Sequence, residues 1–269
     1  RGARQVGKST MVKEFGKEFD VFISLNLEKP DHWAIFESAD IDISVKMIFL
    51  FAKKPLDRTK KTLLFIDEIQ NSPKAVALLR YFYEDYPWLY VISAGSLLLT
   101  LQNQHISFPV GRVQYMHLRP CSFSDFLEAT GNTLLCDELN TMHIDSSLHP
   151  MLMQLFSQFA VVGGMPEVIA RYSDNPDIVA LKDVYASLLR SYSEDVEKYA
   201  KNDTMKNVIR LLLKKGWTYS TEQITLGNFA ESSYKAREVG EALRMLERTY
   251  LLELTYPITS CQLPIVQEN

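Results

Sequence analysis

The chain has 269 residues, 46% apolar and 23% charged. That length fits two domains with real cores, and the composition excludes a disordered or fibrous chain. The formal net charge of −4 gives no global reason to expect nucleic acid.

No apolar run reaches the roughly 18 residues that mark a membrane span. Cys121, Cys136 and Cys261 show neither C-x-x-C nor His-paired spacing, so free thiols in a reducing, cytoplasmic compartment are expected. Gly2-Ala3-Arg4-Gln5-Val6-Gly7-Lys8-Ser9 fits G-x-x-x-x-G-K-[ST], a phosphate-binding loop. Its glycines let backbone N–H groups point at phosphate oxygens. A helix over roughly 8–19 turns its positive end toward the same anion. Lys8 would reach the β- and γ-phosphates, the Ser9 hydroxyl would bind Mg²⁺, and Thr10 completes the stretch. A phosphate loop follows a buried strand, yet only Arg1 precedes Gly2. Residues upstream of Arg1 are therefore expected.

Val21 to Leu27 alternates and reads as a strand. Residues 30–52 hold two short helical patterns. Leu63-Leu64-Phe65-Ile66-Asp67-Glu68 is a short apolar run ending in two acids, the pattern of a buried parallel strand. Asp67 is placed to hold the metal, as a Walker-B acid does, and Glu68 to polarise a water for attack on the γ-phosphate. A capped core strand with exposed acids is the alternative. The second acid favours hydrolysis over phosphoryl transfer to a metabolite. A helix follows Pro73, with Ala77, Leu78, Tyr81 and Phe82 at helical spacing. Leu89 to Ser96 is the next strand and its exit turn. Ser96 either senses the γ-phosphate or caps the helix after it.

Gly111-Arg112 opens an alternating strand over 113–118. Ser122 is the candidate N-cap of the next helix. Strand–helix alternation then stops. The patterns from about 132 to 200 are helical, broken at Val162-Gly163-Gly164-Met165-Pro166. Residues 203–256 read as helices over 205–214, 221–230 and 233–250 and a β-like run over 251–256, which suggests a winged helix-turn-helix. Residues 201–250 hold nine Lys/Arg and six Asp/Glu, a net of +3. That module either contacts DNA, through Lys235, Arg237 and Arg244 of its longest helix, or packs against a protein.

Taken in order, Gly2 to Thr10, Phe65-Ile66-Asp67-Glu68-Ile69-Gln70, Ala94-Gly95-Ser96, Gly111-Arg112-Val113, Pro120-Cys121-Ser122-Phe123 and Gly163-Gly164-Met165-Pro166-Glu167 resemble the prokaryotic AAA-type ATPases that carry a winged helix and a C-terminal, nuclease-like domain of unknown function. The resemblance implies an α/β fold: a P-loop parallel sheet flanked by helices over 1–130, a helical lid over 131–202 and a winged helix over 203–260. Residues 261–269 read as a linker to a C-terminal domain that the chain lacks. It implies ATP and Mg²⁺ as cofactors, ATP hydrolysis, and a homo-oligomer with a protein or DNA partner. A slow, nucleotide-dependent interaction switch is the alternative. Relatives among signalling ATPases use a Gly-x-Pro turn near the adenine, which Gly164 and Pro166 match, although a plain helix break fits too. Arg171, beyond Pro166, has no fixed direction. AAA-type ATPases commonly complete their site with a neighbour's arginine, and Arg112 is the candidate. A salt bridge to Asp125 or Glu128, a turn role and a solvated charge compete with that role.

Overall fold

The computed structural model describes residues 1–95, 111–141, 144–200 and 202–257, with the backbone alone at 195–199. Two compact units divide the chain, Arg1–Tyr185 and Ala186–Asn269.

The first unit is built on three parallel strands in the order β1 (Val21–Asn26), β2 (Thr62–Asp67), β3 (Leu89–Ser93). Parallel pairing demands crossovers, and helices supply them. Between β1 and β2 lie α2 (Pro30–Ala34) and α3 (Ile41–Phe51), and between β2 and β3 lies α4 (Pro73–Asp85). Asp40 caps α3 by accepting from the Ile43 N–H, and Ser72 caps α4 by accepting from the Ala75 N–H. The central strand β2 is buried on both faces, which is why it reads as a continuous apolar run. Leu64 and Ile66 point into a core with Ile23, Leu25, Val45, Ile48, Val76 and Phe82. Leu63 and Phe65 point the other way, onto Val12 of α1 (Lys8–Phe15). The sheet is thus sandwiched, with α3 and α4 on one face and α1 on the other.

Residues 113–118 are not a strand, as their alternation had suggested. They run extended and largely exposed, and among the described residues their backbone bonds to Arg1. Arg1 N donates to Met116 O at 2.5 Å and Leu118 N donates to Arg1 O at 2.7 Å. Two bonds flanking His117 in this way are one rung of a parallel ladder. The Arg1 guanidinium also lies 3.7 Å from the centre of the Tyr115 ring.

Helices α5 (Phe123–Ala129), α6 (Thr133–Thr141), α7 (His149–Val162) and α8 (Pro166–Asp174) follow. Ser122 caps α5 as expected. Its hydroxyl accepts from Asp125 N at 3.2 Å, and the Asp125 carboxylate accepts from Ser122 N at 2.7 Å. Phe123, Phe126, Phe159 and Tyr172 bind α5, α7 and α8 through ring contacts of 5.5–6.4 Å. The next helix is α9 (Lys182–Tyr199).

In the second unit α10 (Asp203–Lys215) packs Val208, Ile209 and Leu212 against Val239, Leu243 and Leu246 of α11 (Ala236–Arg248). The helix expected over 221–230 does not form. Thr221, Asn228 and Ala230 take left-handed backbone there, and Phe229–Glu231 makes one short 3₁₀ turn instead. The β-like run over 251–256 pairs with no strand among the described residues. No helix of the described residues is long and apolar enough to cross a membrane.

Candidate active site

The site is assembled at the carboxyl ends of the strands, where an open parallel sheet presents its crevice. Gly7 has φ 91, a left-handed value that a side chain would resist, and it delivers the chain into α1. Gly2 is equally constrained, because a Cβ there would stand 2.3 Å from the Leu118 carbonyl oxygen. Ala3 and Val6 turn inward and are buried, while Arg4 is half-buried and Gln5 and Thr10 are exposed. The loop is therefore anchored by its apolar side chains.

Lys8 curls back over this loop. Its ammonium donates to Ala3 O at 2.7 Å and Gly2 O at 3.1 Å. The Ser9 hydroxyl donates to Asp67 Oδ2 at 2.6 Å, joining residues 58 positions apart. Asp67 ends β2, in register with Asn26 at the end of β1. Its other oxygen accepts from Glu68 N at 3.1 Å. A hydroxyl and a carboxylate at this separation are hard oxygen donors of the kind that suits Mg²⁺, which usually takes only one or two protein ligands and fills its shell with phosphate and water. No cluster of three or more His, Cys, Asp or Glu side chains that could hold a metal exists among the described residues.

Glu68 follows with φ 52 and ψ 42, so its side chain leaves the strand direction. Burial pushes its carboxyl above the usual range; a hydrogen bond donated by Gln70 works against that rise, and the nearby Asp67 charge adds to it. On the far side of the loop Gly164 O accepts from Cys121 N at 2.7 Å, and the Pro166 ring lies 3.8 Å from where a Gly7 Cβ would stand. Pro166, at the start of α8, thus sits beside Gly7, while Gly164 lies against Pro120 and Cys121.

Arg112 is not paired with Asp125 or Glu128. Its Nε donates to Glu84 Oε1 at 3.0 Å, and Glu84 also accepts from Arg80 of its own helix. These bonds, Arg80's first, hold the Glu84 carboxyl below its ordinary value. Arg171 pairs with Glu167 one turn back at 3.2 Å, with both side chains more than half exposed. Ser96, Cys261 and the expected linker over 261–269 lie outside the described residues. On α11, Lys235, Arg237 and Arg244 are all exposed.

Three residues near the site escaped the sequence reading. Gln70 carried no role, although it stands two positions after Glu68. Asn26 offers its side-chain oxygen to Glu28 N at 2.8 Å, while its own N–H donates to His32 Nδ1 at 2.7 Å. Asn26 was marked by its place at the end of β1, and Gln70 by its place just beyond β2.

A glycine-shaped loop at a helix start, a lysine folded over it, and a hydroxyl meeting a strand-end carboxylate are compatible with a P-loop nucleotide-binding domain. Residues 1–127 match the family model described as an AAA domain, which supports an AAA-type P-loop ATPase family for this part of the chain. Residues 153–264 match a domain of unknown function. That second match corrects the expectation that the chain lacks such a domain, because the model covers much of the segment assigned to the lid and the winged helix. No curated protein matches the chain.

Proposed function

We propose that this protein is a Mg²⁺-dependent ATPase whose nucleotide cycle drives a conformational change acting on a protein or DNA partner. The observation that carries the reading is the 2.6 Å bond between Ser9 and Asp67. In this reading both residues would hold Mg²⁺, which would offset negative charge on the phosphates. Lys8 exchanges its loop carbonyls for phosphate oxygens, and the N–H groups of residues 4–10 close around the same anion. Pro166, beside Gly7, and Gly164 border the nucleotide from the α8 side. Glu68 accepts a hydrogen bond from the attacking water and fixes its line of approach. Burial raises its affinity for protons. Ser96 senses the γ-phosphate. Arg112 stabilises transition-state charge in a neighbouring subunit of a homo-oligomer.

The second unit supplies the partner surface, a winged-helix-like module with exposed Lys235, Arg237 and Arg244 on α11. The deciding experiment is ATP turnover by the purified protein, with and without duplex DNA, in Mg²⁺ and in EDTA. Phosphate release that requires Mg²⁺ and vanishes in Glu68→Gln supports the reading. Absence of release in all conditions refutes it.

A further inference from the structure

We propose that Gln70 is a positioning residue for Glu68: its side-chain amide holds one carboxylate oxygen and thereby sets where the other points. The task given to Glu68 rests on the ATPase reading above. The clamp itself rests on geometry. Three backbone bonds fix the turn that carries Glu68. Glu68 N donates to Asp67 Oδ1 at 3.1 Å, Ile69 N donates to Ala94 O at 3.0 Å, and Asn71 N donates to Glu68 O at 3.0 Å. A left-handed backbone at a glutamate is uncommon, and these bonds keep it in place. With the main chain held, only the Glu68 side-chain torsions remain free. Gln70 Nε2 donates to Glu68 Oε2 and removes that freedom.

The other end of the same amide shows what fixes its orientation. Gln70 Oε1 is buried and has no hydrogen-bond partner among the described residues. A buried carbonyl left unpaired is unfavourable, so packing alone would not select this arrangement. Flipping the amide would turn its oxygen toward the carboxylate and set lone pairs against lone pairs. The charged acceptor decides the outcome, since hydrogen bonds to ionised groups are the stronger ones. Gln70 therefore serves the carboxylate at the expense of its own oxygen. One Glu68 oxygen is occupied and the second is left to accept from water. Without the clamp the carboxylate samples several rotamers, and few of them address the attacking water.

Gln70→Met keeps the length and shape of the side chain and removes the donor. The expected result is a fall in kcat of about tenfold or more, with KM for ATP and the ATP-induced rise in Tm unchanged within about twofold. Gln70→Lys restores a donor, carries no oxygen to strand, and should recover most of the lost kcat. A filler role would show no such rescue. A second measurement does not depend on turnover. In a thermal double-mutant cycle the two changes are not additive: Gln70→Met lowers Tm in the wild-type background by more than in a Glu68→Ala background, where the amide has lost its acceptor. Equal Tm losses in both backgrounds overturn the clamp, and so does a Gln70→Met protein that turns over at the wild-type rate. If the wild-type protein releases no phosphate, the ATPase reading fails, and the thermal cycle still decides whether Gln70 holds Glu68.

Discussion

Arg112 and Glu84 are tied by a 3.0 Å hydrogen bond from Nε to Oε1, which holds the arginine against the C-terminal end of α4. Glu84 engages one nitrogen of a guanidinium fork that carries several N–H donors. If Arg112 works across a subunit boundary, Arg112→Ala and Lys8→Ala are each inactive. Mixed oligomers of the two then regain activity, because intact sites form between unlike subunits. Such arginines contribute about 10³ to 10⁵ in rate elsewhere. A protein that sediments as a monomer while active, or an Arg112→Ala protein with unchanged turnover, removes the role.

Lys8 bonds to the carbonyls of Gly2 and Ala3, and its removal costs the loop those hydrogen bonds. Nucleotide binding should suffer far more. At a ligand concentration 100-fold above Kd, binding stabilises a fold by about 2.7 kcal/mol. Lys8→Ala should show the wild-type melt without nucleotide and no shift with it. An ATP-induced shift equal to that of the wild type would remove Lys8 from the site.

Asp67 and Glu68 are neighbours with different work. Asp67 meets Ser9, whereas Glu68 turns away on its left-handed backbone. Glu68→Gln should keep ATP affinity and lose turnover by about 10² to 10⁴, the range for a positioned acid–base group. Asp67→Asn should weaken binding in Mg²⁺ and leave binding in EDTA unaltered. Fluorescent-nucleotide titrations in the two media separate the outcomes, and wild-type turnover in Glu68→Gln would reassign the water to another residue.

His32 supplies a pH dependence with a definite sign. Burial, then Lys29, lowers its pKa below the ordinary 6.5, and its neutral Nδ1 accepts from Asn26 N at 2.7 Å. The unfolded chain takes up the proton first as pH falls, so the stabilisation is present above about pH 6.5 and is lost below it. His32→Asn, whose side-chain oxygen can accept the same bond at any pH, should flatten the fall in Tm between pH 7 and pH 5.5. Parallel Tm curves for the two proteins would show that His32 contributes nothing to it.

For the second unit, duplex DNA binding through α11 should weaken steeply with salt. Replacing Lys235, Arg237 and Arg244 together should reduce the salt slope by about one for each phosphate interaction removed. Salt-insensitive or absent binding in an anisotropy titration would direct attention to a protein partner.

Local patterns proved the most legible. β2 announced itself because both of its faces are buried, and α5 because Ser122 and Asp125 stand three apart. The phosphate loop could be read because its backbone geometry constrains its residue types. The partner of Arg112 could not be read, since Glu84 becomes its neighbour only when α4 is in place. The loop before α11 misled for a different reason. Its apolar spacing suits a helix, yet Asn228 and Ala230 adopt left-handed backbone that no helix tolerates. At 113–118 the alternation was real, and among the described residues one rung of ladder answers it.

That rung has a consequence for the order of folding. Arg1 pairs with Met116 and Leu118, 115 residues from Arg1 in the case of Met116, and Gly2 rests on the Leu118 carbonyl. Contacts of such sequence separation form late, because a long loop must close before they return any stabilisation. The three described strands β1, β2 and β3 lie within residues 21–93 and need none of them. On a ribosome the hydrophobic centre can therefore assemble while the phosphate loop is still unshaped. Competence to hold a nucleotide would arrive only after residue 118 has emerged, as a separate and later event than collapse of the core.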